Sequence, residues 1–75
     1  MKSAVIFEGY GYTVCWIARG EWLTVQRDYA KNPTGTRGVA LKGQQAIEWR
    51  DGFAEAIDDD ERADLARGIY KSVYP

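Results

Sequence analysis

At Gln44 the hydrophobic periodicity of the chain changes, and that change dictates the architecture. Before it, apolar residues run in short stretches or alternate with polar ones; after it they recur every three to four positions. Ala4-Val5-Ile6-Phe7 is a short apolar run closed by Gly9 and Gly11. Tyr12 to Ala18 is rich in β-branched and aromatic residues, which suit a pleated surface. Past a turn signal at Arg19-Gly20, Glu21 to Tyr29 alternates through Leu23, Thr24, Val25 and Gln26, as a half-buried strand does. Residues Lys31 to Thr36 have loop composition, and Arg37 to Leu41 reads as a fourth strand with Val39 and Leu41 on one face. Ala46, Trp49, Phe53, Ala56 and Ile57 then mark the inward stripe of a helix over 44–57. A second helix over 59–73 turns Leu65, Ala66, Ile69 and Val73 inward. The expectation is an α+β fold: a four-stranded antiparallel sheet followed by one long helix and a second, C-terminal helix. Residues 1–75 form a single domain, with 1–41 as its sheet half.

A core built from 75 residues supplies only about 3–5 kcal/mol of net stability, so small domains lean on disulfides, a metal or a partner subunit. Cys15 is the one cysteine and histidine is absent, so neither an internal disulfide nor a closed zinc site fits. A homodimer is the remaining staple. No stretch near the start has the charged lead, apolar core and cleavage site of a signal peptide, and no apolar run is long enough to cross a bilayer. With a lone free cysteine, this points to the cytoplasm.

The same composition argues against catalysis. Without histidine there is no ordinary general base at neutral pH and no Ser-His or Cys-His pair. The acids Glu8, Glu21, Asp28 and Glu48 are scattered, and Gly9-Tyr10-Gly11 lacks the rest of a nucleotide fingerprint. Cys15, flanked by Val14 and Trp16, reads as a small strand hydrophobe. The sequence implies neither an enzyme nor a cofactor. Asp58-Asp59-Asp60-Glu61 has the spacing of a capping box, with acids where a helix dipole favours them.

Charge is uneven along the chain. Residues 1–50 carry seven Lys/Arg against four Asp/Glu, and residues 51–75 carry three against seven. That makes a mildly basic sheet half and an acidic helical half. Three tryptophans and five tyrosines are many for this length. Trp16 and Trp22 fall on adjacent strands among Thr24, Gln26, Arg19 and Arg27, the ingredients of a stacking platform beside positive charge. The same aromatics also suit a core or a subunit interface.

Which role they take depends on the hairpin register, and two registers are open. A two-residue loop at Arg19-Gly20 pairs Trp16 with Leu23, sending Trp16 into the core and Trp22 to the other face. A three-residue loop pairs Trp16 with Trp22 and gathers Tyr12, Trp16, Trp22, Thr24 and Gln26 on one face. The second needs a positive φ only at Gly20 and spares Arg19, and for that reason it is favoured.

The segment from Leu23 to Ile57 resembles the single-stranded-DNA-binding domain of the transcriptional coactivator PC4 family. Arg27-Asp28-Tyr29 stands where that family ends a strand, Lys31 to Thr36 where it has a loop, and Arg37-Gly38-Val39-Ala40-Leu41 where it has its fourth strand. Gln44-Gln45 and Trp49 open a helix at a similar distance. The resemblance implies a homodimer built through the helix, curving its strands around single-stranded DNA or RNA. It makes Arg27, Lys31, Arg37 and Lys42 candidate phosphate contacts, with Trp22 and Gln26 nearer the bases. Trp49 and Phe53 on the helix, with Tyr70, are the candidate subunit interface. The acidic second helix is an addition to that pattern.

The leading expectation is therefore a non-enzymatic, homodimeric single-stranded nucleic-acid-binding protein serving transcription or replication. The other is a small phage-type inhibitor, like those that block CRISPR complexes, which docks on a host protein complex through an aromatic or acidic surface.

Overall fold

The computed structural model describes residues 3–27 and 37–74, with Arg37 by its backbone alone. The elements come in the expected order: β1 (Ser3–Gly9), β2 (Tyr12–Ile17), β3 (Trp22–Arg27), β4 (Arg37–Lys42), α1 (Gln44–Glu55) and α2 (Asp59–Val73). The four strands form one antiparallel sheet in the order β1-β2-β3-β4. The fold is α+β, as the periodicity predicts.

One face of this sheet builds the core. Phe7, Tyr12, Val14, Leu23, Val25, Val39 and Leu41 meet Ala46 and Phe53 of α1 and Ala63, Ala66, Ile69 and Tyr70 of α2. Leu23, Val14, Val25 and Ile69 are fully buried, each worth about 1.5–3 kcal/mol of transfer free energy. Both helices lie on this side, because every buried strand residue belongs to the same alternate set.

The first hairpin turns in two residues, Tyr10 (φ 55) and Gly11 (φ 82), the mirror-image turn whose twist matches paired strands. A left-handed tyrosine costs roughly 1–2 kcal/mol. Its hydroxyl donates to Asp60 at the start of α2, tying the hairpin tip to the helix layer. In β1 the pairing shifts between Val5 and Phe7, leaving Ile6 as a bulge that packs against the core.

The second hairpin overturns the favoured register. Trp16 pairs with Leu23, Val14 with Val25 and Tyr12 with Arg27. The reason lies in the turn. Its hydrogen bond runs from the Glu21 N–H to the Ala18 carbonyl at 3.2 Å, and positive φ falls on Gly20 (φ 89) and Glu21 (φ 55). Arg19 is spared, as expected, but by passing the second left-handed residue to Glu21 rather than by lengthening the loop.

Helix α1 has no side-chain N-cap; Gly43 (φ 73) precedes it and donates its N–H to the Glu21 carbonyl. It stops at Glu55 because Ala56 is extended. Arg62 closes that end, donating to the carbonyls of Phe53 (3.2 Å) and Ala56 (3.0 Å) and to Asp59 (2.9 Å). Ile57 therefore leaves the expected stripe and is 85% exposed. Asp58 caps α2, accepting from the Glu61 N–H at 2.8 Å, with Asp59, Asp60 and Glu61 in the first turn. Val73, expected inward, is half-exposed in the last turn, where Tyr70 takes the core position instead.

Candidate functional site: the open face of the sheet

The side of the sheet away from the helices carries twelve residues, and strand pairing sets them in three rows of four. The rows are Ser3, Ile17, Trp22 and Lys42; Val5, Cys15, Thr24 and Ala40; and Glu8, Thr13, Gln26 and Gly38. No helix among the described residues covers them. Val5 is 59% exposed, and Cys15, Ile17, Trp22 and Thr24 are half-buried. The middle of the face is apolar or hydroxylated. Its charges are Glu8 on one edge strand and Lys42 on the other, at diagonally opposite corners.

Trp22 is the aromatic residue of this face. The Lys42 ammonium lies 5.0 Å from the centre of its ring, and a Cβ placed on Gly20 would come within 3.0 Å of its indole nitrogen. The ring is thus held between the hairpin turn and the end of β4. Gln26 is exposed four residues along the same strand. Of the expected nucleic-acid contacts, Trp22, Gln26 and Lys42 share the open face.

The others do not join them. Arg27 points to the helix side, 5.8 Å from the centre of the Tyr12 ring. Arg37 pairs with Arg27 at the end of the sheet, so its position belongs to the same helix-side set. Lys31 lies outside the described residues, as does the rest of the expected loop at 31–36. Tyr12 and Trp16, expected beside Trp22 in the platform register, also sit on the helix side. Tyr12 packs edge-on against Tyr70 at 6.1 Å, Tyr70 lies 4.9 Å from Tyr74, and Arg50 covers Trp16 at 4.5 Å. The aromatic surplus in the sequence is mostly core chemistry.

The expected subunit interface is corrected on the same grounds. Phe53 and Tyr70 are 2% and 5% exposed within the single chain and belong to its own core. Trp49 is half-buried against that core. Phe53 and Tyr70 are absorbed by packing α1 and α2 on the sheet and have no free surface to offer a second copy, while Trp49 keeps only part of its ring exposed.

The acidic segment is also largely used internally. Asp58 caps α2, Asp59 pairs with Arg62, Asp60 accepts from Tyr10 and Asp64 pairs with Arg67 at 2.6 Å. The neighbouring carboxylates raise the Tyr10 hydroxyl above its ordinary pKa, the Asp60 hydrogen bond contributing most.

An open cleft of about 510 Å³ lies beside β1, lined by residues 5–8 of that strand with Arg50, Phe53, Ala54, Asp59 and Arg62. Its two cations are already engaged, Arg62 by the helix carbonyls and Arg50 by Asp51 at 3.3 Å and Trp16. Among the described residues no group of three His, Cys, Asp or Glu is placed to hold a metal, and no polar or charged side chain is buried. No helix among them is long and apolar enough to cross a membrane.

Comparison of the chain with protein-family models, with curated proteins and with solved structures finds no match.

Proposed function

We propose that this chain is a non-enzymatic protein-interaction domain whose working surface is the open face of its sheet. The observation that carries this reading is the composition of the face. Twelve positions hold one acid and one base at opposite corners, around a field formed by Val5, Cys15, Ile17, Trp22, Thr24 and Ala40. Protein interfaces have cores depleted in charge and enriched in aromatic residues, with a polar rim. A phosphate backbone instead needs several cations following its path. The internal pairing of Asp58, Asp59, Asp60 and Asp64 also favours the sheet over the acidic helix as the docking surface.

The reading is tested with a photo-crosslinking side chain installed at Thr24, and at Asp64 as a control. Discrete protein adducts from Thr24, lost on Ile17→Lys and absent from Asp64, are the expected result. Equal adducts from both positions would overturn it.

A second reading is kept alive by one observation: Trp22, Lys42 and Gln26 share the open face. A base stacked on an exposed indole gains roughly 1–3 kcal/mol, and an adjacent ammonium reaches a phosphate. Single-stranded nucleic acid would then occupy the same surface. Saturable quenching of tryptophan fluorescence by a single-stranded oligonucleotide, weakening with salt and lost in Trp22→Leu and Lys42→Glu, would select this reading. No quenching at low salt would dismiss it.

A further inference from the structure

The geometry points to a second copy of this chain as the occupant of the open face, packed sheet on sheet with the strands of the two copies crossing at right angles. This inference rests on reading the face as a protein-docking surface and names its partner.

The argument starts from the outline of the face. Strands lie about 4.8 Å apart and alternate residues along a strand about 6.8 Å apart, so four strands and three rows each span about 14 Å. The face is therefore close to square. Its corners are Ser3, Lys42, Gly38 and Glu8. Consider a two-fold axis lying between two copies and running along the diagonal from Ser3 to Gly38. It turns the strands of one sheet through a right angle over the other, one of the two ways sheets pack face to face. It also exchanges the two remaining corners, so Glu8 of each copy comes to lie over the partner's Lys42. The only described charges of the face are then matched twice, with no like charges opposed.

The apolar residues follow the same operation. Val5, the most exposed large hydrophobic residue of the face, projects between the partner's Ile17 and the partner's Trp22. Cys15 and Thr24 fall on either side of the axis, at the centre. The Ser3 and Gly38 corners meet their own counterparts, and both are small enough to do so. With side chains included, the footprint is roughly 20 by 20 Å, about 400 Å² per copy, the size of a weak and concentration-dependent association. A second copy would also supply the apolar burial that a chain of 75 residues lacks on its own.

The test is sedimentation equilibrium of the full chain over a wide concentration range, with E8K, K42E and the double variant E8K/K42E. Both sites are exposed, so folding is not at risk. The expected result is a mass of two chains. Each single variant replaces two attractive contacts by two repulsive ones and weakens dimerisation about tenfold, and the double variant restores it. In parallel, maleimide labelling of Cys15 should slow as concentration rises, because the thiol lies at the centre of the interface. A single-chain mass throughout would overturn the proposal. A dimer in which the double variant is no better than the single ones, with Cys15 labelled at a constant rate, would also overturn it. Failure here is distinguishable from failure of the parent reading. A monomer that still gives Thr24-specific adducts with another protein removes only the second copy. A monomer whose fluorescence is quenched by an oligonucleotide removes both.

Discussion

Lys42 and Trp22, paired across β3 and β4 at the end of the sheet, hold the ammonium 5.0 Å from the ring centre on the face away from α1 and α2. An exposed contact of this kind is worth about 0.5–1 kcal/mol, so Lys42→Met should lower stability by no more than that. Its effect should appear instead in tryptophan emission, as the indole loses a neighbouring charge. Gly20→Ala should act on the same ring more severely. It forces a Cβ into a left-handed residue and to within 3.0 Å of the indole nitrogen, and should cost about 1–2 kcal/mol in urea denaturation. A Gly20→Ala variant as stable as the wild type would mean that this turn is not formed as described.

The two faces can be told apart by paired truncations on one strand. Leu23 is fully buried and Trp22 only half-buried, though they are adjacent. Leu23→Ala should cost about 2–5 kcal/mol, enough to unfold much of the population of so small a domain. Trp22→Ala should cost under about 1.5 kcal/mol, since it removes area from an open surface and leaves no cavity. Thermal denaturation of the two variants measures the difference. The reverse order would place Trp22 rather than Leu23 in the core, against the burial described for β3.

Arg62 joins the two helices through hydrogen bonds rather than through its charge pair alone. Its guanidinium satisfies two carbonyls at the end of α1 that have no partner within the helix. Arg62→Met keeps the aliphatic stem and removes those bonds, and should cost about 2 kcal/mol. Arg67→Met, which loses only an exposed pair with Asp64, should change stability by about 0.5 kcal/mol or less. Chemical denaturation of both variants gives the comparison.

Tyr10 and Asp60 make stability depend on alkaline pH. The Asp60 hydrogen bond, helped by the charges of Asp60, Asp59 and Asp58, holds the Tyr10 hydroxyl above its ordinary value of 10.0. The raised pKa means that the fold favours the protonated form. Its contribution is therefore fully present below pH 10 and is lost as pH rises through the higher folded value. Ultraviolet titration of phenolate should show a late component that disappears in Tyr10→Phe and moves to an ordinary position in Asp60→Asn. A late component that persists in Tyr10→Phe would mean that another tyrosine carries it and that this contact does not hold the Tyr10 proton.

Element order and type were legible because they rest on local signals. Period-two alternation, the change of period at Gln44 and the acidic start of α2 each act within a few residues, and Asp58 caps its helix as its spacing with Glu61 implied. The inward stripes were legible except at the helix ends, at Ile57 and Val73. Ile57 kept helical spacing in the sequence but lies beyond the last turn of α1, so it faces solvent.

The binding face was not legible, and the cause is parity. Side chains alternate across a sheet, so one residue more or less in the turn at Arg19-Gly20 moves every side chain of β3 to the other face relative to β2. That choice was made by where the chain placed its left-handed residues, at Gly20 and Glu21, and by the gain from burying Tyr12 and Val14, rather than Cys15 and Ile17, beside Leu23 and Val25 beneath two helices. Neither is a local property of the strands. The sequence by itself determined which segments are strands and helices, their order and the cap of α2, because backbone preference and hydrophobic period are written residue by residue. Only the tertiary structure decided that Tyr12, Val14 and Trp16 of β2 join Leu23 and Val25 on the helix side while Cys15 and Ile17 stay open beside Trp22. Register is a collective choice, made by whichever pairing buries the larger apolar set against the helices.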